Sequence, residues 1–104
     1  MAFSLSSLKE GANIHFIGIG GISMSGLADI LIDRGFHVSG SDMRETHITK
    51  HLRARGATVY IGQRAENIKS PDAVVYSAAI KPDNEEFRAA EKCGAPLFDR
   101  ATLM

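Results

Sequence analysis

One cysteine, three prolines and no tryptophan occur among these 104 residues, and no apolar run approaches the length of a membrane span. Cys93 has no second thiol to pair with, so no intramolecular disulfide framework holds the chain; without partner ligands it starts no zinc site either, and it is expected to pack near a helix end. A span needs about 20 consecutive apolar residues, and Met1-Ala2-Phe3-Ser4-Leu5 lacks the basic and apolar regions of a signal peptide. A cytoplasmic chain with no membrane partner is expected. An excess of charge of either sign is also missing: Lys plus Arg and Asp plus Glu number 12 each. With no net field to draw the protein onto a polyanion, nucleic acid is not an expected partner.

What is present is an ordinary globular composition, 44% hydrophobic and 23% charged, over a length that fits one domain, residues 1–104. Glycines mark most changes of element. Ile14–Ile17 is a short apolar run ending at Gly18 and reads as a buried strand. From Ile22 to Arg34, Met24, Leu27, Ala28, Leu31 and Ile32 recur at helical spacing, and Gly35 stops the helix. Phe36–Asp42 reads as a second strand, Thr46–Arg55 as a second helix stopped by Gly56, Ala57–Ile61 as a third strand and Asp72–Ser77 as a fourth. Pro82–Lys92 reads as a third helix and Pro96–Phe98 as a fifth strand, with a further helix beginning at Arg100. Strands alternating with helices of this length predict an α/β fold: a Rossmann-like open parallel sheet of about five strands with helices on both faces.

Ligands of such sheets bind beyond the carboxyl ends of the strands, where strand order reverses. That rule brings Gly18 to Ser25, Ser41-Asp42, Gly62-Gln63 and Ser77 to Ile80 to one surface. Gly18 and Gly20 match the first two glycines of the dinucleotide fingerprint, one for the tight turn and one for close backbone approach to a diphosphate. Ser23 stands where the third glycine belongs, Gly21 is added, and Gly26 comes three residues late. Gly21 leaves more backbone N–H exposed at a helix start, where the macrodipole favours an anion; the hydroxyls of Ser23 and Ser25 are further candidate donors. The same glycines also suit any sharp strand-to-helix turn. Asp42 closes its strand near the offset at which an acidic residue accepts from a ribose, although a turn or capping aspartate occupies the same place. Ser77-Ala78-Ala79-Ile80 ends the fourth strand with small residues, which leaves room for a flat ligand or for close packing.

Other clusters point to surface. His47 and His51 lie four apart on a helix without the third ligand or glutamate base of a zincin. Lys50, Arg53 and Arg55 make a basic helix edge, and Glu85, Glu86 and Glu91 fall on a helix that needs a polar face. No serine, histidine and acid set is assigned a catalytic role.

Taken together, His15-Phe16-Ile17-Gly18-Ile19-Gly20-Gly21, Met24-Ser25-Gly26, Ser39-Gly40-Ser41-Asp42, Ser77-Ala78-Ala79-Ile80, Asn84 and Asp99-Arg100-Ala101 resemble the N-terminal domain of the Mur ligases of peptidoglycan synthesis, most nearly the alanine-adding branch. The resemblance runs from Asn13 to nearly the end of the chain. It implies that this domain holds the UDP part of UDP-N-acetylmuramate, with Gly18, Gly20, Gly21, Ile22, Ser23, Met24 and Ser25 at the diphosphate. Ser41 and Asp42 would meet the uridine ribose or base, Ser77, Ala78, Ala79 and Ile80 the uridine side of the pocket, and Arg100 a phosphate. Gln63 stands where the family often carries histidine, so a uracil contact there would use an amide.

No Gly-x-x-Gly-Lys-Thr loop occurs in the sequence. The resemblance therefore places ATP, magnesium and L-alanine in further domains, where the muramate carboxylate is phosphorylated and alanine displaces the phosphate. The domain by itself is expected to be inactive and to carry no cofactor. Two alternatives compatible with the glycine loop are a nicotinamide-binding domain of an oxidoreductase and a nucleotide-sensing module with no enzymatic parent.

Overall fold

Residues 11–77 and 79–100 are described by a computed structural model, and they build one sheet with helices packed on its two faces. The elements are β1 (Asn13–Ile17), α1 (Ile22–Asp33), β2 (His37–Asp42), α2 (His47–Ala54), β3 (Thr58–Ile61), β4 (Ala73–Tyr76), α3 (Glu85–Lys92) and β5 (Leu97–Asp99), with a 3-10 turn at Ala65–Asn67 between β3 and β4. All pairings are parallel and the strand order is β3-β2-β1-β4-β5. The chain winds outward from β1 to β3 and then returns to the other side of β1 to begin β4. The order therefore reverses between β1 and β4, as expected for a Rossmann-like sheet.

Burial explains the layering. Ile14, His15, Phe16 and Ile17 in β1 are all buried, so the central strand is covered on both faces, as parallel strands require. On one face Ile14, Phe16, Val38, Val59, Ala73, Val75 and Phe98 pack against Met24, Ala28 and Leu31 of α1 and Leu52 of α2. On the other, Ile17 and Val74 pack against Ala90 of α3, with Phe87, Tyr76, Leu97 and Ile68 around them. The rings of Tyr76 and Phe87 meet edge to face at 5.0 Å.

The helix stops follow from glycine. At the end of α1, Phe36 N–H donates to the Leu31 carbonyl at 3.1 Å and Gly35 N–H to that of Ile32 at 3.0 Å, while Gly35 takes φ +91°. This is the Schellman arrangement, which needs a left-handed residue just past the helix. Gly56 repeats it after α2, with Ala57 N–H donating to Leu52 and Gly56 N–H to Arg53.

Three expectations shift. The third helix begins at Glu85 instead of Pro82, because the Asn84 side chain accepts from the N–H groups of Glu86 and Phe87 and so caps it there. Cys93 does lie at the end of α3, but it is exposed. Glu86 is fully buried, not part of a polar outer face. Ala78 and the helix expected beyond Arg100 lie outside the described residues. Among the described residues no helix is long and apolar enough to cross a membrane.

Candidate functional site

The glycine loop leaves β1 at its carboxyl end and is fastened to β2 by backbone. Gly18 and Ile19 N–H groups both donate to the Ser41 carbonyl at 2.8 Å, and Gly18 takes φ +90°, a conformation that side chains oppose. Gly20 N–H donates to Asp42 Oδ2 at 2.8 Å, and a Cβ built on Gly20 would stand 2.7 Å from that same oxygen. Glycine is required here because the Asp42 carboxylate occupies the space a side chain would take.

Past this clamp the chain enters α1 with no side-chain cap. Gly21 is the N-cap residue, its N–H folds back to the Gly18 carbonyl at 3.3 Å, and the first helical bond runs from Ser25 N–H to the Gly21 carbonyl. The N–H groups of Ile22, Ser23 and Met24 are left without intrahelical acceptors. No acidic side chain lies in this first turn, and the Arg100 guanidinium reaches it from the end of β5, its Nε donating to the Ser23 carbonyl at 3.3 Å. Three donors, the positive end of a helix and an arginine at one place favour an anion.

The other expected segments arrive at the same edge. Gly62 N–H donates to the Asp42 carbonyl at 2.7 Å, which seats Gly62-Gln63 beside the end of β2. Ile80 N–H closes a turn onto the Ser77 carbonyl at 3.0 Å, and Ile80 Cδ1 lies 3.7 Å from a Cβ built on Gly18. Ile22, 85% exposed, and Met43, 66% exposed, set bare apolar side chains at the first turn of α1 and the end of β2.

Several expected contacts take a different form. Gly20 N–H is already used by Asp42, so the donors left for an anion are those of residues 22–24. The Met24 side chain is buried in the core, so only its N–H, which has no intrahelical acceptor, is left as a candidate contact. Ser41 is fully buried with no hydrogen-bond partner for Oγ, so its side chain does not reach a ribose or base; its carbonyl serves the glycine loop instead. The Ser25 hydroxyl donates back to the Ile22 carbonyl at 3.1 Å. Asp42 is a turn aspartate as well as a strand-end acid: Oδ1 accepts from Met43 N–H at 2.8 Å and Oδ2 from Gly20, which leaves each oxygen a further lone pair for a hydroxyl. Ser23 and Ala79 are exposed, Ser77 and Gln63 half-buried.

Beneath these loops lies a polar network that the sequence did not announce. His15 Nδ1 meets Ser39 Oγ at 2.8 Å and its Nε2 meets Glu86 Oε2; Asn67 Nδ2 donates to Glu86 Oε1 at 3.0 Å and to the Gly62 carbonyl at 2.8 Å. With Nε2 donating to the Glu86 carboxylate, which can only accept when ionised, Nδ1 faces the Ser39 hydroxyl, which can donate or accept. The network ties α3 and the 3-10 turn to the sheet and holds the loop that carries Gln63. The one signal available was spacing, since Glu86 lies four residues before Ala90 on the buried face of α3. Away from the site, His51 Nε2 pairs with Asp29 at 3.2 Å, and Arg55 with both Asp29 and Asp33.

The family model described as "Mur ligase family, catalytic domain" matches residues 13–104. A UDP-N-acetylmuramate–L-alanine ligase of Alkaliphilus metalliredigens is 55% identical over 92 residues, 88% of this chain and 20% of that protein. Among solved structures, a UDP-N-acetylmuramate–alanine ligase from Thermotoga maritima superposes with TM-score 0.83 at 37% identity, covering 86% of this chain and 21% of that one. A UDP-N-acetylmuramate:L-alanyl-gamma-D-glutamyl-meso-diaminopimelate ligase from Neisseria meningitides reaches 0.78 at 34% identity, covering 86% and 28%. The chain thus spans about a fifth of the length of the curated relatives it matches. With the family model covering nearly all of a Rossmann-like sheet and its glycine loop, this chain belongs to the Mur ligase family.

Proposed function

We propose that residues 1–104 form the UDP-sugar-holding domain of an ATP-dependent ligase that joins L-alanine to UDP-N-acetylmuramate in peptidoglycan synthesis. The observation that carries this is the uncapped start of α1 at the reversal of strand order, with Arg100 beside it. Support comes also from the relatives, alanine ligases at 50–56% identity.

In this reading the diphosphate lies on the N–H groups of Ile22, Ser23 and Met24, with Arg100 adding charge. Asp42 accepts from the ribose, where a carboxylate suits a free hydroxyl and repels a phosphate. The base lies toward Gly62-Gln63 and Ile80. No residue here is assigned a catalytic role: the chain has no Gly-x-x-Gly-Lys-Thr loop, so ATP and Mg²⁺ are assigned, with L-alanine, to parts of the parent enzyme beyond this chain. This domain's contribution is to bind and orient the nucleotide end of the substrate. Because the remaining contacts lie elsewhere, weak binding is expected.

Backbone amide NMR with UDP-N-acetylmuramate, UDP and NAD added in turn tests the reading. UDP and the UDP-sugar should shift the amides of residues 18–25 and 62–63 at millimolar concentration, with NAD giving little. Strong NAD shifts over residues 18–26 with none from UDP would overturn it in favour of a nicotinamide-binding domain.

A further inference from the structure

Asn84 is held at both ends of its amide. As the N-cap residue of α3, its Oδ1 accepts from Glu86 N–H at 2.9 Å and Phe87 N–H at 3.0 Å. Backbone N–H groups only donate, so the oxygen end must face the helix and the NH2 end must face away. There Nδ2 donates to Gln63 Oε1 at 2.8 Å. An NH2 group has no lone pair to offer a second NH2, so Gln63 is obliged to turn its oxygen toward Asn84 and its Nε2 outward. Among the described residues that Nε2 has no partner. Gln63 itself follows Gly62, which is bonded to the Asp42 carbonyl at 2.7 Å and to Asn67 at 2.8 Å, so its backbone is fixed as well.

We propose that Asn84 is a positioning residue for base selection: by locking the Gln63 amide with its NH2 outward, it makes Gln63 read a carbonyl oxygen at position 4 of a pyrimidine, favouring uracil over cytosine. This rests on the nucleoside diphosphate lying at this edge. Uracil offers an acceptor at that position and cytosine an amino group, which would face the Gln63 NH2 donor to donor. Reversing Gln63 to suit cytosine breaks its bond to Asn84 and opposes two NH2 groups. The helix cap therefore sets the hydrogen-bond sense of a side chain 21 residues earlier in the chain.

The test compares UDP and CDP as probes, titrated by NMR into the 104-residue chain and two variants. The unaltered chain should bind UDP about tenfold more tightly than CDP, the penalty expected of one mismatched polar contact. Asn84→Asp still caps α3, so its thermal melting should be little changed. Its carboxylate, however, only accepts, and Gln63 turns its NH2 inward and its oxygen outward. The UDP-to-CDP ratio should fall to about one or below, while the added charge weakens both ligands alike and drops out of the ratio. Gln63→Glu, which removes the donor and leaves Asn84 in place, should lower the ratio in the same direction. An unchanged ratio in a folded Asn84→Asp protein, or no preference in the unaltered chain, overturns the inference and leaves the UDP assignment standing. Failure of the unaltered chain to bind either nucleotide overturns that assignment, and the inference with it.

Discussion

Gly20 carries no side chain because Asp42 stands where one would go, and the two residues together decide how the glycine loop is used. The spacing of Gly18, Gly20 and Asp42 was enough to place all three at one site, because strand, turn and strand end follow in order. It did not reveal that the carboxylate takes the Gly20 N–H, since that depends on how closely two loops approach in space. Gly20→Ala should push Asp42 aside and destabilise the fold by about 1–3 kcal/mol, the usual cost of overfilling a packed position. Urea unfolding measures this, and an unchanged midpoint and slope would mean the carboxylate has room to retreat. Ser41 shows the opposite limit of sequence reading. A serine beside a strand-end aspartate suggests a ligand contact, yet the alternation of β2 turns its side chain inward to a fully buried position.

At the scale of elements, the legible boundaries were those with a local cause. Gly35 and Gly56 end α1 and α2 because each supplies the left-handed residue of a Schellman stop, and both are visible in sequence. The start of α3 was read three residues early, at Pro82 instead of Glu85, because Pro82 fits a first helical turn as well as Asn84 fits a cap. The attachment of α3 was not legible at all. Glu86 reads as one more surface acid on a charged helix until His15, 71 residues away, arrives to pair with it. Removing the acid leaves His15 and Asn67 buried and short of a partner, so Glu86→Ala should cost about 3 kcal/mol or more in urea unfolding. Replacing both members by apolar residues, His15→Phe with Glu86→Leu, should cost much less than the single change. If the single variant proves as stable as the parent, the network contributes nothing to holding α3 on the sheet.

For the molecule as a whole, alternating strands and helices, with glycine after β1, α1, α2, β3 and α3, sufficed for the layered sheet and for the edge at which its loops meet. Hydrogen bonds join three of the four expected segments there, Gly20 to Asp42 and Asp42 to Gly62, and Ile80 closes in beside Gly18. What pattern could not supply was the division of labour along the glycine loop: Gly18 and Gly20 are spent on holding the loop to β2, and the open donors begin at Ile22. The proposed diphosphate site is thus the bare first turn of α1 with Arg100, not the glycines themselves. A crystal structure of this chain with UDP tests that placement most directly. The diphosphate oxygens should lie within hydrogen-bond distance of the N–H groups of Ile22, Ser23 and Met24, with uracil toward Gln63; a diphosphate bound away from the first turn of α1 would contradict it.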